Sequence, residues 1–264
     1  MNKLANFYKL VLNENMKIYR RARTWIMLSI LAIVSILMPF VFFMAGSQEN
    51  PSVWEVVLLT MTFTFFMNII FASVIAADSV ASEFSWGTIK LLLIRPWSRS
   101  KILLSKYISV ILFGILSTLM MFGVTFLFAN IWFTYDVGST GLISSSWSAM
   151  SYTLMILGCK YVELILITTI AFMISTLFRS STFAIVLSLV VLFSKDIFLL
   201  LLNPDKYVWM KYVIFTQMDL KGYIDSPVGP GGSTLAFSLI VLAIYYICFL
   251  VLTWVIFNKR DVAT

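Results

Sequence analysis

The sequence predicts an all-α membrane protein with six transmembrane helices. Of its 264 residues, 61% are hydrophobic and only 12% are charged. The apolar residues also gather into six long, charge-poor runs. A soluble domain carries about 25% charged residues, so a mean hydropathy of +0.96 excludes a water-soluble globular enzyme. The runs are continuous rather than alternating, which argues for helices and against an outer-membrane barrel.

Residues 1–24 precede the first run. Leu4, Phe7, Tyr8, Val11, Ile18 and Tyr19 recur at helical spacing, with Lys3, Lys9, Lys17 and Arg20 mostly elsewhere round the wheel. That pattern predicts an amphipathic helix lying on the inner leaflet. The plainer alternative is a basic tail that only sets topology. The polar stretch is too long for a cleavable signal peptide, and no A-x-A site follows the apolar run.

The spans fall at about residues 25–45, 56–77, 105–133, 152–177, 182–202 and 235–257. Each can cross about 30 Å of hydrocarbon as a helix. Pro39 should kink the first. The outer connections cover residues 46–55, 134–151 and 203–234. The last carries Tyr207, Trp209, Tyr212 and Phe215 and then Pro227-Val-Gly-Pro-Gly-Gly. A short helix at the outer interface and a flexible return are expected there. No repeat or separate soluble domain is visible, so residues 1–264 read as one transmembrane domain.

Basic residues set the orientation. Lys3, Lys9, Lys17, Arg20, Arg21 and Arg23 lie before the first span, and Lys90, Arg95, Arg99, Lys101 and Lys106 around the second-to-third connection. Arg179 follows the fourth span, and Lys259 and Arg260 follow the sixth. The other side has Lys206, Lys211 and Lys221 alone. Both termini are therefore expected in the cytoplasm, with the chain in a cytoplasmic membrane. The formal charge of +7 is explained by topology, and no nucleic-acid partner is needed.

Several chemistries are excluded. There is no histidine, so no His-based triad or HExxH zinc site exists. No glycine is followed by lysine, so there is no Walker A loop. Cys159 and Cys248, both within apolar runs, read as small buried apolar residues. No metal site is expected.

Residues 78–104 form the informative connection. From Asp78 to Lys106 the chain reads DSVASEFSWGTIKLLLIRPWSRSKILLSK. Two acids follow the second span, then an amphipathic GTIKLLL segment, then Arg95-Pro96. Pro96 ends any helix near Arg95, and Ser98 can cap the helix that enters the third span. A short helix between two turns suits docking; the plain alternative is a solvated charged loop.

This stretch resembles the permeases of type-2 ABC exporters of the bacterial multidrug, antibiotic or peptide export type. In that family an acid, Gly-Thr, a leucine run and Pro-x-x-Arg precede the third span. The ending Phe257-Asn-Lys-Arg-Asp261-Val is similar to the family's tail. The resemblance covers essentially the whole chain. It implies a coupling helix, between spans two and three, seated in a cleft of a separate ABC ATP-binding subunit. Carried over residue by residue, Glu83, Gly87, Thr88, Lys90, Arg95, Pro96 and Arg99 would mark that contact. ATP and magnesium would sit on the partner, so this chain would be a transport subunit rather than an enzyme. A second permease chain, identical or paralogous, would complete the path. The large extracellular domain of some relatives is absent.

Four charges fall inside spans. Lys160 and Glu163 share a face of the fourth helix, and Lys195 and Asp196 lie in the fifth at about the same depth by helical rise. Glu163 with Lys195, and Lys160 with Asp196, are the expected pairs. They either hold the two helices together or line the path of a cargo. The leading functional reading is an export permease for an amphipathic or hydrophobic cargo: an antimicrobial peptide, an antibiotic or a lipid-like molecule. The alternative is a non-transporting subunit that passes envelope stress to a partner.

Overall fold

Two of the long helices start on caps written in the sequence. Ser52 accepts from the Glu55 backbone N–H at 3.4 Å, while the Glu55 carboxylate accepts from the Ser52 backbone N–H at 2.8 Å. This reciprocal box starts a helix that runs from Val53 to Ser85. Ser148 accepts from Ser151 N at 3.3 Å and starts another. Ser98 does occupy the N-cap of the next long helix, but its hydroxyl makes no capping bond. Its backbone carbonyl instead accepts from Lys101 and Ile102.

A computed structural model describes residues 3–45, 51–88, 97–135, 147–201 and 207–259. Its elements are α1 (Lys3–Tyr19), α2 (Ala22–Met44), α3 (Val53–Ser85), α4 (Arg99–Trp132), α5 (Ala149–Leu177), α6 (Ser181–Leu201), the short α7 (Ile214–Gln217) and α8 (Gly222–Asp225), and α9 (Leu235–Lys259). Single 3-10 turns occupy Val208–Tyr212 and Pro230–Gly232. Among the described residues there is no strand, and six helices are long and apolar enough to cross a membrane.

The bundle is built round α3, which packs on α2, α4, α5 and α6, while α9 lies against α5 and α4. Most of the apolar window of α3 is buried, 61%, against 17% for α9. Phe65, Phe113, Phe172, Leu31, Leu164 and Ile167 are fully enclosed. Between apolar helices in lipid the drive is close packing and polar contact rather than water exclusion. The bundle supplies both, as in Asn68 of α3 donating to Thr118 of α4 at 3.0 Å. Tyr107 of α4 likewise meets Thr169 of α5 at 2.9 Å and Tyr246 of α9 at 3.0 Å.

Several expectations shift. α3 continues beyond residue 77 to Ser85, and α4 begins at Arg99 rather than near residue 105. Helix can persist there because Asp78, Glu83 and Lys106 find partners within the bundle. α1 is a helix, but Leu10 and Val11 are buried and α1 packs on α4. Tyr8, Leu12 and Met16 form a separate exposed stripe. α2 runs through Pro39 to Met44 as one helix. Cys159 is half-buried, but Cys248 is exposed, because α9 is peripheral. After α8 the chain returns through a hydrogen-bonded turn, with Gly229 N donating to Ser233 O at 2.9 Å. Gln217 anchors this end, accepting from Ser238 and donating to Lys211 O.

Candidate functional site

Where α3 ends, α1 crosses the bundle and four charged side chains close a ring. Glu14 and Lys17 come from α1, Glu83 from α3 and Lys106 from α4. Lys106 Nζ lies 2.7 Å from Glu14 and 3.1 Å from Glu83. Lys17 Nζ lies 2.8 Å from Glu14 and 2.9 Å from Glu83. Signs alternate, so the ring is formally neutral. Lys106 is 3% exposed and also donates to Ser79 O at 3.1 Å, whereas Lys17 is 38% exposed. Burial pushes the Glu14 carboxyl up, but the Lys106 and Lys17 ammoniums outweigh it and hold it below its ordinary range. Burial works against the Lys17 ammonium, and Glu14 and Glu83 more than offset it, so its pKa is raised.

A second knot lies beside the first. Asp78 of α3 pairs with Arg21, the N-cap of α2, and with Arg23 in its first turn, and accepts from Ser181 at the start of α6. Arg21 also reaches Ser82 at 3.4 Å, with its guanidinium 4.8 Å from the Trp86 ring centre. Two and three residues beyond Asp78, the backbone N–H groups of Val80 and Ala81 donate to the Ser175 hydroxyl of α5, at 3.0 and 2.9 Å. The last turns of α3 are thus held by α1, α2, α4, α5 and α6 together.

The motif residues sit around this junction. Gly87 has φ +70° and donates its N–H to Phe84 O, so it stops α3 in the left-handed conformation glycine tolerates. Thr88 donates to the Glu83 carboxylate. Glu83, expected to face a partner, is 8% exposed and turned inward to Lys17, Lys106 and Thr88. Arg99 donates to Asn258 O at 3.0 Å, in the last turn of α9. Arg99 of the Pro-x-x-Arg motif therefore meets Asn258 of the tail motif. Lys90, Arg95 and Pro96 lie outside the described residues, as does the expected coupling helix.

The intramembrane cluster forms about Glu163. Its carboxylate is buried, receives Lys195 of α6 as expected, and receives Lys160 at 3.0 Å. Asp196 lies on α6, but its side chain is outside the described residues. A narrow pocket between α3 and α5 opens beside Lys160, walled by Leu58, Met61, Phe65 and Ile156. Sequence reasoning found this cluster but not the ring. Glu14 was the available signal, since it lies three and four residues beyond Val11 and Leu10, on the same buried face. Among the described residues no His, Cys, Asp and Glu group could hold a metal ion.

The profile of a family described as "Protein of unknown function (DUF2705)" matches residues 23–263. Two proteins of Bacillus subtilis (strain 168) are similar along nearly their whole length. "Uncharacterized protein YhcI" is 34% identical over 315 aligned positions, covering 96% of this chain and 99% of that protein. "Uncharacterized membrane protein YdbK" is 30% identical over 255, covering 94% and 99%. The second name agrees with the six long apolar helices.

Proposed function

The chain belongs to the DUF2705 family, and we propose that it is the permease subunit of an ATP-driven exporter. In this reading the ring end is cytoplasmic, and the segment after Gly87 receives a separate ATP-binding subunit. Two such permeases surround a path for an amphipathic or hydrophobic cargo. The resemblance of residues 83–106 and of the tail to type-2 ABC permeases suggests the class. The observation that carries it is the anchoring of both flanks of that segment. Thr88 is tied through Glu83 to α1 and α4, and Arg99 is tied to α9.

A force on the segment would reach the spanning helices through those contacts. Glu83 then positions the segment rather than touching the partner, and Gly87 sets its direction. On the resemblance, Lys90, Arg95 and Pro96 would belong to the docking element itself, while Arg99 anchors its flank to α9.

The test is to purify the chain from its native membrane, identify any ABC-type ATPase that accompanies it, and reconstitute the pair. ATP-dependent movement of a labelled amphipathic peptide or antibiotic is expected, with hydrolysis stimulated by cargo. Glu83→Gln should keep the complex and weaken that stimulation. Failure to find an ATPase partner refutes the reading. A complex that hydrolyses ATP and moves no cargo favours the stress-relay alternative.

A further inference from the structure

The corner between α1 and α2 holds a small cleft, with about 30 Å³ of room for water, that opens to the surface, with Ile18 and Ile75 in its wall. Four cations line it: Lys17, Arg21, Arg23 and Lys106. Three carboxylates answer them, Glu14, Glu83 and Asp78, and each already contacts two of those cations. One positive charge is left over. Arg23 Nε is buried and donates to nothing. Arg23 Nη2 is paired with Asp78, but a buried N–H without an acceptor is costly, so with one positive charge in excess the corner has room for one more anionic acceptor.

The surroundings indicate where that acceptor comes from. Arg21 and Arg23 flank Ala22, the first residue of a helix long and apolar enough to cross a membrane, the place where basic residues meet lipid headgroups. The Trp25 and Trp86 rings are 60% and 65% exposed at the same end, and Tyr8, Leu12 and Met16 make an exposed apolar stripe along α1. Amphipathic rings and an apolar stripe beside cations are the marks of a headgroup layer.

We infer that this cleft holds the singly charged phosphodiester of an anionic membrane lipid, between Lys17, Arg21 and Arg23. The phosphate oxygens accept from Arg23 and share Arg21 with Asp78. One negative charge neutralises the corner. The glycerol and acyl chains leave past Ile18 toward the exposed stripe of α1. The inference is independent of transport, and it makes α1 a lipid-gripping element as well as a part of the charge ring.

Native mass spectrometry of the purified chain tests it, with phosphatidylglycerol, phosphatidylcholine or inorganic phosphate added. Wild type should retain one phosphatidylglycerol about five-fold better than phosphatidylcholine, the preference expected for one charge near a membrane surface. Inorganic phosphate should not compete at millimolar concentration. Arg21→Gln with Arg23→Gln should lose that preference. Asp78→Asn, which frees both arginines, should tighten phosphatidylglycerol.

Equal retention of the two lipids by wild type would overturn the inference without any variant. Competition by inorganic phosphate at parity would overturn the lipid source. A folded Arg21→Gln/Arg23→Gln protein with unchanged preference, or Asp78→Asn with weaker retention, would overturn the site.

Discussion

Replacing Lys106 with methionine tests the ring at its most enclosed member. Methionine keeps much of the volume and removes the charge that meets Glu14 at 2.7 Å and Glu83 at 3.1 Å. Two carboxylates, 5% and 11% exposed, would then share Lys17 alone. Stranding a buried charge costs about 3–5 kcal/mol in soluble proteins. At about 2–4 °C per kcal/mol, the melting temperature of the purified protein should fall by roughly 6–20 °C. Lys17 is the control: it makes the same two contacts but is 38% exposed, so Lys17→Met should cost about 0–1 kcal/mol.

The decisive variant is Lys106→Met with Glu14→Gln, which restores neutrality and leaves the Lys17–Glu83 pair at 2.9 Å. It should recover more than half of the loss, the non-additivity expected of groups in contact. Thermal unfolding in detergent, followed by helical circular dichroism, reads all three. Equal losses for Lys106→Met and Lys17→Met, or purely additive losses in the pair, would refute the ring as the holder of this corner.

Three further outcomes follow. Glu163→Gln and Lys195→Met should each lower the melting temperature, and the double variant should recover much of it, since Glu163 is buried against Lys195; additive losses would separate the two groups. The Glu14 carboxyl is held below its ordinary value of 4.5, so its contribution is present above that pH and lost as pH falls through its folded value; Lys17 is raised above 10.5, so its share persists below that and is lost as pH rises. Melting temperature measured across pH should therefore form a plateau between these limits, and its acid limb should be shallower in Glu14→Gln. Finally, Val228→Cys, which is 57% exposed, should react with an impermeant thiol reagent from outside sealed cells. Exposed Asn258→Cys should not; the reverse pattern would invert the topology.

The six spans were legible because each is a long continuous apolar run, a signal that survives without tertiary knowledge. The Glu163–Lys195 pair was legible because α5 and α6 are neighbours joined by a short turn, so helical rise alone aligns their depths. The ring was not. Its members lie on three helices far apart in the chain, and Lys17 and Lys106 were absorbed into a count of topogenic charges. The family resemblance puts Glu83 at a partner contact, and only the packing of α1 on α4 reveals the cations that turn it in. The Ser52–Glu55 box was readable as S-x-x-E before a run of apolar residues and would have moved the start of α3 to Val53.

The Ser175 contact would be the fulcrum of any tilt of α5. It pins α5 to the amides of Val80 and Ala81, on the turn between Asp78 and Glu83. Glu163 lies twelve residues further along the same helix, about 18 Å at 1.5 Å per residue. A straight rod tilted by about 10° about Ser175 swings Glu163 through about 3 Å. That displacement is as large as the 3.0 Å separating Glu163 from Lys160 along its own helix, and Lys195 rides on α6, a different rod. Lys160 would travel with Glu163 while Lys195 stayed behind. A small rotation at one end of the bundle would thus part Glu163 from Lys195 at the other and leave the Lys160–Glu163 contact intact.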